Sequence, residues 1–149
     1  MKKSLSFKST SKPKEVVEVF NYNSTAFSDS PDFPWTLESL ERQIKDGWKL
    51  YSAKFGEEVV AAIFAKPDKD RFLTRNTPIK ITFQGNGFSH QIKEFLEEEA
   101  RKGSFKKIVN YCRVDNFRGI SLNETHGYKR TGAVLGEEKQ FEEWEKVLS

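Results

Sequence analysis

Only one cysteine, Cys112, occurs in the 149 residues. No internal disulfide is possible, and no second thiol exists for a cysteine-based metal site. This usage fits a reducing, cytoplasmic setting. The two histidines, His90 and His126, have no Asp or Cys at ligand spacing, so no metal is expected. Long apolar runs are missing: none approaches the roughly 18 residues a membrane span requires, so no membrane partner is expected. The opening Met1-Lys2-Lys3 resembles the start of a secretory leader, but "SLSFKSTSKPK" supplies no continuous apolar region behind it. Excess charge of one sign is also missing. The 25 basic and 22 acidic residues leave a net +3, with the signs interleaved. That balance argues against nucleic acid as a partner, despite the local positive charge of "KKSLSFKSTSKPK" and "RKGSFKK". No internal repeat or low-complexity segment is present.

What is present suits one domain over residues 1–149. The 13 phenylalanines and 3 tryptophans give ample bulk for a core. "SLSFK" alternates weakly, as a strand does, and "STSKPK" reads as a turn. "KEVVEVFNY" reads as a helix with Val16, Val19 and Phe20 inward, followed by the loop "NSTAFSDSPDFP". A second helix runs from a Thr36 cap through Leu37, Leu40 and Ile44 to Gly47. "WKLYSAKF" and "EVVAAIFAK" read as a hairpin, and "PDKDR" as the next turn. Residues 72–83 are expected to be extended, with Pro78 at an edge or bulge. The clearest helix follows, with Ser89 as its cap and Gly103 as its stop. Ile92, Phe95, Leu96 and Ala100 face inward, and Lys93, Glu97, Glu98 and Arg101 outward. "FKKIVNYCRV" is a strand buried on both faces. "DNFRGISLNETHG" is a short helix opened by Asp115 or Asn116, and "YKRTGAVLG" is a further strand. The tail, with Phe141, Trp144 and Leu148, fits either a helix or a strand. The section over residues 79–114 reads as a parallel strand–helix–strand unit.

Between that extended segment and the clearest helix lies "QGNGFSH", residues 84–90. Gly85 and Gly87 permit a sharp turn and a close approach to a ligand. The amides at the helix start are unpaired donors, and the helix dipole favours an anion there. A pyrophosphate fits such a nest, and so does an ordinary turn with no ligand. The segment lacks the Gly-Lys-Ser/Thr end of an ATPase loop. It also lacks the third glycine of a dinucleotide fingerprint, where His90 stands. Downstream, Asn116 either caps the short helix or reaches a ligand amide.

Gln84, Gly87 and Ser89, followed by "IKEFLEEEA", resemble the acyl-coenzyme A signature of the Gcn5-related N-acetyltransferase (GNAT) superfamily. That signature is Arg or Gln, two free positions, Gly, one free position, then Gly or Ala; Ser89 is a small variant. Val114, Asn116, Leu122, Glu124, Gly127 and Tyr128, continued by Arg130 and Gly132, are similar to the family's second stretch. The resemblance implies an α/β (mixed α+β) fold, with a sheet of six to seven strands splayed at a cofactor notch and about four flanking helices. It implies acetyl-coenzyme A as acyl donor and an amine as acceptor. The pyrophosphate would lie at Gln84, Gly85, Asn86, Gly87, Phe88, Ser89 and His90. The pantetheine arm would lie along the strand at Ile79, Ile81 and Thr82, and against Asn116. Family members often pair, so a homodimer is a further implication.

The same resemblance implies direct attack by the bound amine, without an acetylated enzyme. Cys112 is then a core thiol. The family often supplies an acid from a tyrosine at the position of Asn123, and an asparagine donates a hydrogen bond but delivers no proton. Tyr111 or Tyr128 are substitutes, each equally readable as packing. Residues 72–83 hold no carboxylate. Glu57 and Glu58 sit at the hairpin turn, which leaves Asp32 as the candidate base. Phe33 and Trp35 either shape an acceptor pocket or pin their loop to the core. A non-catalytic acyl-coenzyme A binder or scaffold is the competing expectation.

Overall fold

The structure, a computed structural model, describes residues 4–10, 12, 15, 37–76 and 83–148. Apolar alternation resolves into strands and helical spacing into helices, in this order: β1 (Ser6–Thr10), α1 (Leu37–Lys45), β2 (Lys49–Phe55), β3 (Glu58–Asp68), β4 (Arg71–Asn76), α2 (Phe88–Lys102), β5 (Lys107–Arg113), α3 (Phe117–Thr125), β6 (Lys129–Leu135) and β7 (Phe141–Val147). Most of the first expected helix, all of the following loop, the Thr36 cap and the Pro78 segment lie outside the described residues. β1 extends through Ser9 and Thr10, where a turn was expected, because both residues pair with β2. β3 likewise runs through Pro67 and Asp68, and only Lys69 and Asp70 turn. The ambiguous tail is a strand, since β7 pairs with β5 along its whole length. No helix among the described residues is long and apolar enough to cross a membrane.

The seven strands form one mixed sheet in the order β1-β2-β3-β4-β5-β7-β6. β1 to β4 are antiparallel neighbours, and β4 and β5 are parallel. The β4–β5 ladder is short. It covers Arg71 to Leu73 against Lys107 to Val109 and then ends, while both strands continue. Each still pairs along its outer side, β4 with β3 and β5 with β7. The middle of the sheet therefore opens. Thr74 Oγ1 donates to the Val109 carbonyl at 2.7 Å just beyond the last ladder pair.

Period-two alternation divides the core between two faces. On one face, Leu50, Ala62 and Phe64 pack with Leu40 and Trp48, and α1 covers them through Leu37 and Ile44. On the other, Tyr51, Ala53, Ala61, Ile63, Phe72, Ile108 and Trp144 meet Ile92, Leu96 and Ala100 of α2. Burying Ile92 and Leu96 contributes about 1.5–3 kcal/mol each.

Two expectations for α2 need correction. Its N-cap is Gly87 and not Ser89, which lies one residue inside the helix. Lys93 and Glu97, expected outside, are buried. They adjoin the apolar stripe on the side where α3 and the last strands pack, so the covered arc of α2 is wider than its apolar stripe.

Candidate functional site

The loop before α2 is held by aromatic packing and by its own amide. Phe88 is buried and its ring lies 5.6 Å from that of Phe55; Phe83 stands beside both. Asn86 Nδ2 donates to the Phe83 carbonyl at 2.9 Å. Gly85 and Gly87 have φ of 85° and 76°, values that cost other L-residues roughly 1–2 kcal/mol each. A Cβ added at either would meet nothing within 4 Å, so both face open space. The first intrahelical bond runs from the Gln91 amide to the Gly87 carbonyl, at 3.3 Å. The amides of Phe88, Ser89 and His90 therefore have no intrahelical acceptor. Gly87 brings no capping side chain, and the first turn has no acidic residue. Nothing on the helix itself offsets the positive end of its dipole.

A groove of about 410 Å³ runs from His90 along α3, lined by Phe117, Arg118, Ser121, Leu122 and Thr125. Arg118 escaped the sequence reading. It occupies the first turn of α3, where the dipole disfavours a cation, and that misplacement is the signal that marks it. Its Nη1 donates to Gln84 Oε1 at 3.2 Å and so joins α3 to the glycine loop. Phe117 is 76% exposed at the groove edge. Asn116 caps α3, its side chain accepting from the Gly119 amide at 3.1 Å. Asn116→Ala is expected to cost about 1 kcal/mol, read as a fall of roughly 2–4 °C in Tm by calorimetry.

Beyond the β4–β5 ladder, β5 presents different chemistry to each face. Tyr111 points to the α1 face. Arg75 lies over its ring at 5.5 Å and over the Trp48 ring at 4.9 Å. The Tyr111 hydroxyl donates to Glu143 Oε2 at 3.3 Å, and Arg71 pairs with Glu143 at 2.9 Å. Burial, with Glu143 next, raises the Tyr111 pKa. Glu143 is the carboxylate that the sequence reading missed, because the tail's periodicity left its strand undecided. Asn110 and Cys112 point the other way, toward α2, and Asn123 joins them there. Tyr111 and Asn123 are thus on opposite faces of β5. Asp32, Phe33, Trp35, Ile79, Ile81 and Thr82 lie outside the described residues.

No protein-family profile and no curated protein sequence matches the chain. Solved structures do. The ribosomal-protein-S18-alanine N-acetyltransferase of Escherichia coli superposes with a TM-score of 0.78 at 14% identity, over 97% of this chain and 94% of that one. A ribosomal-protein-alanine N-acetyltransferase of Brucella melitensis gives 0.73 at 16%, over 96% and 99%. A variant of the spermidine N-acetyltransferase of Vibrio cholerae gives 0.77 at 14%, over 97% and 94%. The chain has the GNAT fold.

Within this fold, a buried polar cluster lies between α2, α3 and the last strands. Asn123, only 2% exposed, accepts at Oδ1 from Lys93 Nζ and from Asn110 Nδ2, both at 2.8 Å. Its Nδ2 donates to Asn110 Oδ1 at 3.1 Å. The Asn123 amide is thereby engaged on both its oxygen and its nitrogen. Glu97 receives Lys146 Nζ at 2.6 Å, Arg101 at 3.8 Å and the Tyr128 hydroxyl at 3.5 Å. Tyr128 is buried in the core, and burial, then Glu97, raises its pKa. Burial pushes the Lys93 ammonium down to about 7, against the pull of Glu97. His126, at the end of α3, turns inward. Its Nδ1 lies 3.8 Å from Glu97, and its Nε2 meets His90 Nδ1 at 2.8 Å. Two histidines remote in sequence are in contact because α3 ends beside the start of α2. Among the described residues no group of three or more His, Cys, Asp or Glu side chains is arranged to hold a metal ion.

Proposed function

We propose that the chain is an N-acetyltransferase that uses acetyl-coenzyme A as donor and a primary amine as acceptor. The observation that carries this reading is the uncapped, carboxylate-free start of α2, opening onto the groove along α3. The amides of Phe88 to His90 and the Arg118 guanidinium offer donors and positive charge for a pyrophosphate. Phe117 offers a flat apolar face for an adenine ring. The segment around Ile79, Ile81 and Thr82 would hold the pantetheine arm, in keeping with the family resemblance. Asn116 serves there through the helix start that it caps.

The neutral amine attacks the thioester carbonyl carbon. A C–N bond forms and the C–S bond breaks. The thiolate leaves with the electron pair, and the amine's surplus proton passes to solvent. Asn123 has no proton to give, so the thiolate is protonated by water. Tyr111 and Glu143, at the open end of β5 on the α1 face, form the polar group best placed to receive an acceptor amine. A second reading is a coenzyme-binding relative without turnover, favoured by the full engagement of Asn123.

Calorimetric titration with acetyl-coenzyme A tests the proposal on the parent, Gly87→Trp and Ser89→Glu. Micromolar binding is expected in the parent. Gly87→Trp fills the open space at the loop, with backbone strain of roughly 1–2 kcal/mol. Ser89→Glu suits the helix dipole but repels a polyanion, so folding is retained. Each variant is expected to weaken binding at least about tenfold, or 1.4 kcal/mol. Undiminished binding in both would place the coenzyme elsewhere, and absent binding in the parent would remove the reading. Thiol release across a panel of amines separates turnover from binding alone.

A further inference from the structure

His90 and His126 form a direct imidazole pair, Nδ1 to Nε2 at 2.8 Å, with ring centroids 5.0 Å apart and planes tilted by 34°. A hydrogen bond between two ring nitrogens needs one N–H and one lone pair. Two neutral imidazoles have two N–H groups, and one of them fills the bridge. The Glu97 carboxylate, 3.8 Å from His126 Nδ1, favours the other on that nitrogen. His126 then accepts in the bridge, His90 donates, and His90 Nε2 is left with a lone pair. His90 lines the groove at the start of α2. A lone pair there repels an anion. One added proton satisfies every position: Nδ1–H toward Glu97, the bridge, and Nε2–H free to meet a ligand.

We propose that His90, backed by His126 and Glu97, is a proton-loaded ligand for the phosphates of an anion seated at the start of α2, so that anion and proton bind together. This rests on the coenzyme reading above. His126 is the positioning residue: it fixes which nitrogen of His90 bears hydrogen and has no ligand contact of its own. Burial holds His126 below the ordinary histidine value; Glu97 opposes this, and His90, Lys93 and Lys146 add to it. His126 in the free protein is accordingly neutral near pH 7. The other groups facing the relay are Arg101 and the Tyr128 hydroxyl, both on Glu97, and Arg118 on the groove.

An arriving anion favours the charged form of the pair and raises its pKa. Affinity therefore rises as pH falls from the bound pair's pKa toward the free pair's, by up to about tenfold per unit for one proton. The test is calorimetry of acetyl-coenzyme A binding to the full chain from pH 6 to 8.5, in buffers of contrasting ionisation heat. The parent is compared with His126→Gln, which bonds His90 but takes no proton. The coenzyme's own phosphate monoester also titrates in this range, so the count is the difference between the two proteins. A parent uptake larger by roughly half to one proton, with a flatter affinity profile in His126→Gln, supports the relay. Equal proton counts and parallel profiles, with binding intact, would overturn the relay and leave the coenzyme reading standing. No binding by the parent at any pH would remove both.

Discussion

Glu97→Gln is expected to destabilise the protein by about 2–4 kcal/mol. Glu97 is 5% exposed and is the one anion in close contact with Lys146, Arg101 and His126 among the described residues of the cluster. The substitution keeps the side-chain shape and a polar atom for the Tyr128 hydroxyl while deleting the charge. Removing one partner of a buried ion pair typically costs about 3–5 kcal/mol, because the remaining charge stays buried without compensation. The lower figure here allows for solvent access: the side chains of Lys146 and Arg101 are 24% and 46% exposed and can turn toward water. Lys93 has no such route, so in the variant it is expected to shed its proton more readily. Urea unfolding at pH 7 measures the cost. A loss below about 1 kcal/mol, the range of exposed pairs, would show that the cations are already hydrated in the fold.

Lys93→Met, in the same cluster, is expected to act in the opposite direction and to raise stability at pH 7 by about 1–4 kcal/mol. Methionine fills a similar volume and avoids the desolvation of an ammonium. Asn123 Oδ1 keeps its bond from Asn110, and Glu97 keeps Lys146. The pH dependence makes the test specific. In the unfolded chain Lys93 holds its proton up to about its ordinary 10.5, whereas in the fold burial lowers this to about 7. Between those values the unfolded chain binds more protons, so stability rises with pH across the window. Equivalently, stability is lost as pH falls from 10.5 to about 7 and then levels off. The parent should show this slope from pH 7 to 9.5, and Lys93→Met should lack it. Above pH 10 tyrosines act the other way, since burial pushes Tyr51 up to about 12, which confines the comparison to the lower window. Parallel profiles for the two proteins would mean that Lys93 keeps an ordinary affinity for its proton and reaches water.

Much of the candidate site was legible because its causes are local. The two glycines of "QGNGFSH" announced positive φ, and the spacing of Ile92, Leu96 and Ala100 announced a helix with one face on the sheet. Asn116 signalled a helix start by the chemistry of its side chain alone. Ser89 misled for a related reason. It is a good capping residue by type, but with Gly87 in the left-handed region the helix begins earlier, and backbone geometry supersedes the side-chain preference. The tail stayed undecided because Phe141, Trp144 and Leu148 satisfy helical spacing on their own. Pairing with β5 is a long-range contact that no window of sequence contains. Glu143 was lost with it, although it faces Tyr111 across that ladder.

Apart from the tail and the ends of β1 and β3, the sequence by itself determined the local conformations: where the chain turns, which stretches are helical or extended, and that an anion-friendly helix start follows the glycine loop. Those outcomes depend on backbone sterics and on side-chain period within a few residues. Only the tertiary structure decided which face of β5 meets which helix, that β4 and β5 part after three pairs, and that α3 ends against the start of α2. From those placements follow the burial of Lys93 and Glu97, the engagement of Asn123, and the contact between His90 and His126. Burial and charge pairing are properties of the neighbours that folding brings together, and residues distant along the chain are neighbours only once the sheet has formed.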